Sequence, residues 1–200
     1  MPKTEIYFSC DIEADGPIPG PHSMLSFGVV AFSQDGKELS DFTRNLVVLP
    51  DAGMHPDTAG FWERNPEAYA KTQENQVDPR EAMGEFVKWV EDIATMCHAS
   101  PVFVGYPAGF DWTFMYWYMM KFVGRSPFGF QALDMKTFAM VVLGLDFRQT
   151  AKKKFPKAWF DASTPHTHVA LEDAREQGHM FIRMLKQART CTTPPTGAPT

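Results

Sequence analysis

Residues 6–13 read Ile-Tyr-Phe-Ser-Cys-Asp-Ile-Glu, an aromatic and β-branched run that ends on two acids. This composition predicts a β-strand. Because successive side chains on a strand alternate between its two faces, Asp11 and Glu13 point the same way. Two carboxylates at this spacing can hold a metal ion, although Asp-x-Glu alone is more often an ordinary solvated strand end. The opposite face, which we expect to be the covered one, carries Ile6, Phe8, Cys10 and Ile12.

The residues after this strand predict a hairpin beside the two acids. Residues 14–21 read Ala-Asp-Gly-Pro-Ile-Pro-Gly-Pro, which continues neither a strand nor a helix. A second apolar strand is predicted over residues 24–32, and a third over residues 38–49 after the Asp35-Gly36 turn.

Beyond the hairpin, strands and helices alternate as an α/β fold requires. Helical spacing of apolar residues, with local start and stop signals, predicts helices over residues 57–69, 79–96, 110–123, 135–143 and 169–189. Short strands are predicted over residues 102–106 and up to Leu133-Asp134, and Asp134 is expected to cap the next helix. We expect one α/β domain, residues 1–189, and a disordered tail, residues 190–200.

Three further residues that could bind a metal ion or take part in catalysis come later in the chain. Asp111 follows the strand over residues 102–106, in the first turn of its helix. That position suits a metal ligand, because ligands gather at the carboxyl ends of parallel strands, but it also suits an acid favoured by the helix dipole. His168 and Asp173 would lie roughly 140° apart on a helix. We therefore expect His168 on a loop and Asp173 on the helix that follows.

Asp11, Glu13, Asp111 and Asp173 cannot all stay ionised and unpaired if they converge in a poorly solvated cleft. Mg²⁺ or Mn²⁺ would resolve the repulsion, because hard cations prefer oxygen ligands. A histidine beside such ions can accept a proton from water near neutral pH. His168 is the candidate for this role, with His166 as its competitor, and the set predicts a metal-dependent phosphodiesterase.

These motifs together resemble a known family. Asp11-Ile12-Glu13-Ala14-Asp15-Gly16, Phe27-Gly28-Val29-Val30, Phe110-Asp111 and His168-x4-Asp173 are similar in order and separation to the DEDDh group of DnaQ-like 3′–5′ exonucleases. The similarity spans residues 5–185 and is strongest to compact bacterial exoribonucleases of the RNase T and oligoribonuclease type. One feature departs from the family: a His-Asn pair usually precedes Phe-Asp, and the corresponding stretch here, residues 105–111, reads Gly-Tyr-Pro-Ala-Gly-Phe-Asp without it.

The resemblance implies a ribonuclease H-like fold, with a mixed β-sheet of three antiparallel strands followed by parallel strands and flanked by helices. It also implies two divalent metal ions, Mg²⁺ or Mn²⁺, held by Asp11, Glu13, Asp111 and Asp173, with His168 as general base. The expected reaction is 3′–5′ hydrolysis of single-stranded nucleic acid, RNA favoured, to nucleoside 5′-monophosphates. A DNA exonuclease of proofreading or repair type, a non-catalytic nucleic-acid-binding module and a small-molecule phosphodiesterase remain alternatives.

Single-strand binders hold bases on apolar and aromatic faces. Met24 and Leu25 stand where the family wedges an apolar side chain against the terminal base, and Phe61 and Trp62 are further candidates. Core packing is the alternative for all four. Lys153, within the basic run 152–154, is a candidate for phosphate binding, and the alternative is a solvated loop.

Composition limits the possible classes of partner. The 200-residue chain has a net charge of −5 and one dense basic run, which suits short or single-stranded nucleic acid better than long duplex. Three cysteines without metal spacing and the lack of a signal peptide predict a cytoplasmic protein. The longest apolar run, residues 110–123, is too short to span a bilayer. Because a helix that is apolar all round is either buried or pressed on a partner, this run also indicates a homodimer, as in RNase T and oligoribonuclease.

Overall fold

The fold is built on one mixed β-sheet in a computed structural model, which describes residues 4–160 and 167–191. The strands within these ranges are β1 (Thr4–Ala14), β2 (Met24–Ser33), β3 (Glu38–Asn45), β4 (Ala99–Gly105) and β5 (Leu133–Asp134). They lie in the order β3-β2-β1-β4-β5. The first three pair antiparallel, and β4 and β5 continue parallel to β1. The predicted mixed sheet is therefore confirmed.

Six helices flank the sheet in the described part of the chain: α1 (Pro56–Arg64), α2 (Pro66–Thr72), α3 (Pro79–Met96), α4 (Ala108–Phe122), α5 (Met135–Leu143) and α6 (Ala170–Cys191). Short 3-10 turns cover Phe147–Gln149, Lys152–Lys154 and Lys157–Trp159. The Asp134 side chain accepts a hydrogen bond from Thr137 N at 3.0 Å, which confirms it as the cap of α5.

Several predicted boundaries differ from those of the structure. The single helix expected over residues 57–69 is broken into α1 and α2, because Pro66 lacks an N–H group and disfavours a helical conformation at Asn65. The third strand ends at Asn45 rather than residue 49, and Leu46 instead forms an isolated bridge with Val77. At the other end of the chain, α6 continues through Cys191, and residues 192–200 of the predicted tail lie outside the described residues.

Both faces of the sheet are covered. On one face, Ile6, Phe8, Cys10 and Ile12 of β1 pack with residues of α3 and α4 in the larger core cluster. On the face that carries Asp11 and Glu13, α6 lies across β1 and β2 and shares a second cluster with Tyr7. The face that carries the acids is therefore covered as well, although burial was expected only for the opposite face.

None of the helices in the described ranges has both the length and the apolar character needed to cross a bilayer.

Candidate active site

Asp11 and Glu13 lie at the carboxyl end of the central strand β1. Asp11 is paired with Gly28 of β2, and Glu13 with Ser26. A side chain at Gly28 has no room, because its Cβ would lie 2.3 Å from the backbone N and Cα of Leu171. The missing side chain lets the first turn of α6 approach the sheet directly beside Asp11.

The segment that enters α6 supplies the other half of the site. His168 precedes the helix, with a φ of 58°, and Asp173 lies in its first turn. The Asp173 carboxylate accepts hydrogen bonds from the backbone N–H groups of Thr167 and His168, each at 2.9 Å. This arrangement separates the histidine on a loop from the acid on the helix, as the helical projection predicted.

Glu13, His168 and Asp173 converge across the gap between β1 and α6. Each offers one ligand atom, and the three atoms lie within 4.8 Å of one another. Two carboxylate oxygens and an imidazole nitrogen form a donor set that divalent cations accept. The structure thus brings together residues from opposite ends of the chain.

Asp111 approaches the same site from α4, where it lies buried in the first turn. Its Oδ2 atom is 3.1 Å from the position that a Cβ at Gly105 would occupy, so the end of β4 fits closely around the carboxylate. Burial raises the pKa of Asp111 to about 8, although backbone hydrogen bonds from Ile12 and Tyr106 lower it in part.

Electrostatics couple the four acids. Burial raises the pKa of Glu13 to about 8, and the charges of Asp173 and Asp111 add to the effect. The pKa of Asp11 is raised by burial, then by Asp111, Glu13 and Asp173. Acids that hold protons because they are buried beside one another form a site that bound cations would relieve. The residues present therefore fit the divalent metal ions that the sequence predicted.

A cavity of about 400 Å³ opens beside Glu13. The Phe61 ring lines it and meets the His168 ring edge-on, with centroids 5.2 Å apart and planes at 88°. Phe110, next to Asp111, is 39% exposed and forms part of the same wall. The remaining lining residues are Ala14, Gly16, Pro17, His55, Asp57, Thr58 and Trp62.

The other substrate residues predicted from the sequence are less favourably placed. Met24 and Leu25 are 0% and 1% exposed and pack in core clusters, which was the alternative for both, so neither presents surface to a ligand. Trp62 borders the cavity, but it is buried and its Nε1 donates to Ala14 O at 3.1 Å. Lys153 lies in a 3-10 turn with its side chain in solvent.

Two residues near the acids were not singled out from the sequence. Phe110 could have been noticed because it directly precedes Asp111. The Lys152 ammonium lies beside Glu176, and its positive charge offsets part of the rise in the pKa of Asp11. No sequence signal separates it from its neighbour Lys153. The competing base His166 lies outside the described residues.

One curated relative and several solved structures are similar to this chain. No protein-family model matches the chain. The 3′–5′ DNA exonuclease Cap18 of Escherichia coli is 32% identical over 179 residues, covering 88% of this chain and 90% of Cap18. The nuclease domain of 3′hExo, a DEDDh family member bound to rAMP, matches with a TM-score of 0.62 and 13% identity over 92% of each chain. The E. coli ExoI complex with single-stranded DNA matches with a TM-score of 0.59 and 12% identity, covering 96% of this chain and 42% of ExoI.

Proposed function

The chain belongs to the 3′–5′ exonucleases of the DEDDh group, and from this premise we propose that it removes nucleoside 5′-monophosphates from the 3′ end of single-stranded nucleic acid. The observation that carries the proposal is the convergence of Glu13, His168 and Asp173, with their ligand atoms within 4.8 Å, beside a cavity lined by Phe61 and Phe110. A cavity of about 400 Å³ falls in the range of small-ligand sites and suits one terminal nucleotide.

The four acids have a shared role in this proposal. Asp11, Glu13, Asp111 and Asp173 would hold two divalent ions, Mg²⁺ or Mn²⁺, which supply Lewis-acid stabilisation of the phosphate and acidify water. Asp173 also holds the loop before α6 through its hydrogen bonds to Thr167 and His168.

His168 is the proposed general base. Its ring lies near Glu13 and Asp173 and is held edge-on by Phe61, so it can accept the proton of an attacking water at the scissile phosphate. Phe61 and Phe110 provide apolar surface for the terminal base.

Single-stranded DNA is the first substrate we propose, because the 32%-identical relative is named a DNA exonuclease. RNA, which the sequence favoured, is the second candidate, since solved structures of the same fold hold rAMP or a histone mRNA stem-loop. In either case the chemistry at the phosphate is the same, and the sugar contacts decide the preference.

We also propose that the enzyme acts as a homodimer in the cytoplasm. The outward face of α4 leaves Trp112, Tyr116 and Trp117 partly exposed and Met120 41% exposed, and aromatic and methionine side chains are enriched at interfaces. Cys10 and Cys97 carry free thiols, which suits a reducing compartment. Light scattering of the purified protein, which should give twice the 22.6 kDa chain mass, tests the dimer.

The test of the activity compares the wild type with Asp11→Asn on single-stranded DNA and RNA labelled at either end. With Mg²⁺ or Mn²⁺, 3′-labelled strands should release a labelled mononucleotide at once, and 5′-labelled strands should shorten gradually. The Asn variant keeps the shape of the side chain and should lose more than about a hundredfold in rate. A folded wild type that binds strands without metal-dependent cleavage would instead indicate a non-catalytic module. Internal cleavage would contradict the exonuclease assignment.

A further inference from the structure

Lys152 differs from the two lysines that follow it. Lys153 and Lys154 are exposed, whereas the Lys152 ammonium lies 2.8 Å from Glu176 Oε2 and 5.5 Å from the centre of the Tyr106 ring. The side chains of Lys152 and Glu176 are 30% and 9% exposed. This lysine is therefore turned toward the protein but remains within reach of solvent.

The partners of Lys152 connect it to the candidate active site. Glu176 lies on α6 three residues after Asp173, and Tyr106 lies between β4 and Asp111. The Tyr106 hydroxyl donates to Thr150 O at 3.1 Å, which holds the segment that leads into Lys152. The ammonium thus lies between Tyr106, in the segment that joins β4 to α4, and Glu176, on the helix that carries Asp173.

The position of Lys152 relative to the sheet indicates which part of a bound nucleic-acid strand it could contact. The cavity beside Glu13 is bordered by α1, which packs over β2 through Trp62 and Leu25. Lys152 lies on the other side of β1, above Tyr106 at the end of β4. Consider a nucleic-acid strand whose 3′-terminal nucleotide occupies the cavity and whose scissile phosphate lies at the acids. The part of that strand on the 5′ side of the scissile phosphate would extend toward Lys152.

We propose that Lys152 binds the internucleotide phosphate next to the scissile bond on its 5′ side, exchanging Glu176 for that phosphate when a strand enters. This inference rests on the proposed function, because it assumes that the 3′-terminal nucleotide occupies the cavity. An ammonium held by one carboxylate and one aromatic face is already oriented to bind a phosphate, which is negatively charged like the carboxylate that it replaces. The Tyr106 ring then serves as the platform beneath the ammonium.

The experiment uses two short substrates that differ by one phosphate. The dinucleotide dTpdT contains only the scissile phosphate, and the trinucleotide dTpdTpdT adds one phosphate on its 5′ side. Lys152→Met should raise the ratio of the trinucleotide KM to the dinucleotide KM about tenfold, because the loss of a positive charge near Asp11 acts on both substrates alike, whereas the lost phosphate contact affects only the trinucleotide. Replacing the 5′-side linkage of the trinucleotide with a neutral methylphosphonate should weaken the wild type equally and affect Lys152→Met no further.

Three variants serve as controls. Lys152→Arg keeps the charge and should retain the trinucleotide KM within about twofold, and Lys154→Met, which removes an exposed charge, should behave as wild type. Glu176→Gln removes the ion pair but leaves the ammonium available, so its trinucleotide KM should be unchanged or lower. If Lys152→Met and Glu176→Gln both lowered kcat on both substrates, the ion pair would be only a structural tie and the proposal would be overturned.

A binding measurement distinguishes failure of this inference from failure of the proposed function. Fluorescence anisotropy of labelled thymidine pentanucleotide compares the wild type with Lys152→Met whether or not cleavage occurs. Weaker binding by Lys152→Met, without cleavage by the wild type, would refute the exonuclease assignment and support the phosphate subsite. Equal binding by the two proteins, or no binding by the wild type, would overturn the subsite.

Discussion

Phe61 joins the candidate base, His168, to the wall of the cavity. Its ring meets His168 edge-on, and it contacts Trp62 with centroids 4.9 Å apart. Edge-to-face pairs of this kind are worth about 0.5–1.5 kcal/mol beyond the area that they bury. One side chain can therefore both orient the histidine and present apolar surface to a base.

Phe61→Ala should raise KM for single strands about tenfold or more, because base stacking on an aromatic ring contributes about 1–3 kcal/mol. It should also lower kcat, since the His168 ring loses its edge-on neighbour. Steady-state kinetics on a labelled oligonucleotide measure both effects. Phe130→Ala is the control, because Phe130 is 78% exposed and is not among the residues that line the cavity. Equal kinetics for the two variants would exclude a role of Phe61 in binding.

At the scale of single residues, local geometry in the sequence predicted part of the site. The period of two on β1 related Asp11 to Glu13, and the helical projection separated His168 from Asp173. The same reasoning could not distinguish Lys152 from Lys153, because the choice is made by Glu176, which lies on another element. Nor could it decide between base contact and core packing for Met24 and Leu25, because their burial depends on α1, α2 and α4 packing over the start of β2.

Among the elements, the contact between α6 and β2 sets the width of the site. The backbone of Leu171 fills the space where a side chain at Gly28 would stand. Asp11 lies opposite Gly28 on β1, and Asp173 lies two residues after Leu171 on α6. The distance between the acids of β1 and Asp173 on α6 therefore depends on a glycine, with no Cβ, at position 28.

Gly28→Ala should push α6 away from the sheet, because its Cβ would lie 2.3 Å from backbone atoms that cannot rotate aside. We expect a loss of about 1–3 kcal/mol in stability and a larger proportional loss of activity than of folded protein. Thermal unfolding and rate measurements on the same samples test this. Gly84→Ala in α3 is the matched control: its Cβ meets no atom within 4 Å, and it should stabilise the protein by about 0.5–1 kcal/mol. Unchanged activity in Gly28→Ala would contradict the spacing argument.

Most elements could be predicted because apolar periodicity and turn residues lie within each segment. The bounds of α3 and α5 match those predicted from the sequence. The break between α1 and α2 was also encoded locally, since Pro66 cannot continue a helix, but helical spacing on both sides concealed it. The end of β3 depended on its partner strand, which the sequence of β3 alone does not specify.

For the molecule as a whole, the buried acids make stability depend on pH. The pKa values of Glu13 and Asp111 are raised to about 8, above those of the unfolded chain. Between the unfolded and folded pKa values, the folded state binds more protons than the unfolded state. Without metal, the stabilising contribution of these protons is complete at low pH and is lost as pH rises toward about 8.

The melting temperature of metal-free protein should therefore fall by about 5 °C or more between about pH 5 and about pH 8. Excess Mg²⁺ should reduce this fall, because a cation bound only by the folded state stabilises it and replaces the protons. Calorimetry with chelator and with Mg²⁺ measures both curves. Asp11→Asn, which lacks one of the repelling carboxylates, should melt higher than the wild type near pH 8 without metal. A metal-free melting temperature that rises over this range would contradict the argument.

At the scale of the whole molecule, the sequence predicted the mixed sheet, because strand type and helix order together restrict the topology. It could not show that α4 divides into a buried face, with Phe114 and Tyr118, and a partly exposed face, with Trp112 and Trp117. All four are aromatic, so hydropathy alone does not reveal which side of this helix faces the core.

The candidate site joins β1 to α6, the first strand and the last helix of the described residues, and this affects when a complete site can form during synthesis. Asp11 and Glu13 leave the ribosome early, but they lack His168 and Asp173 until α6 has emerged and packed across β1 and β2. Nearly the whole domain is therefore translated before a competent centre can form. A nascent polypeptide that lacks α6 would lack Asp173, so we expect it to leave nearby nucleic acid intact.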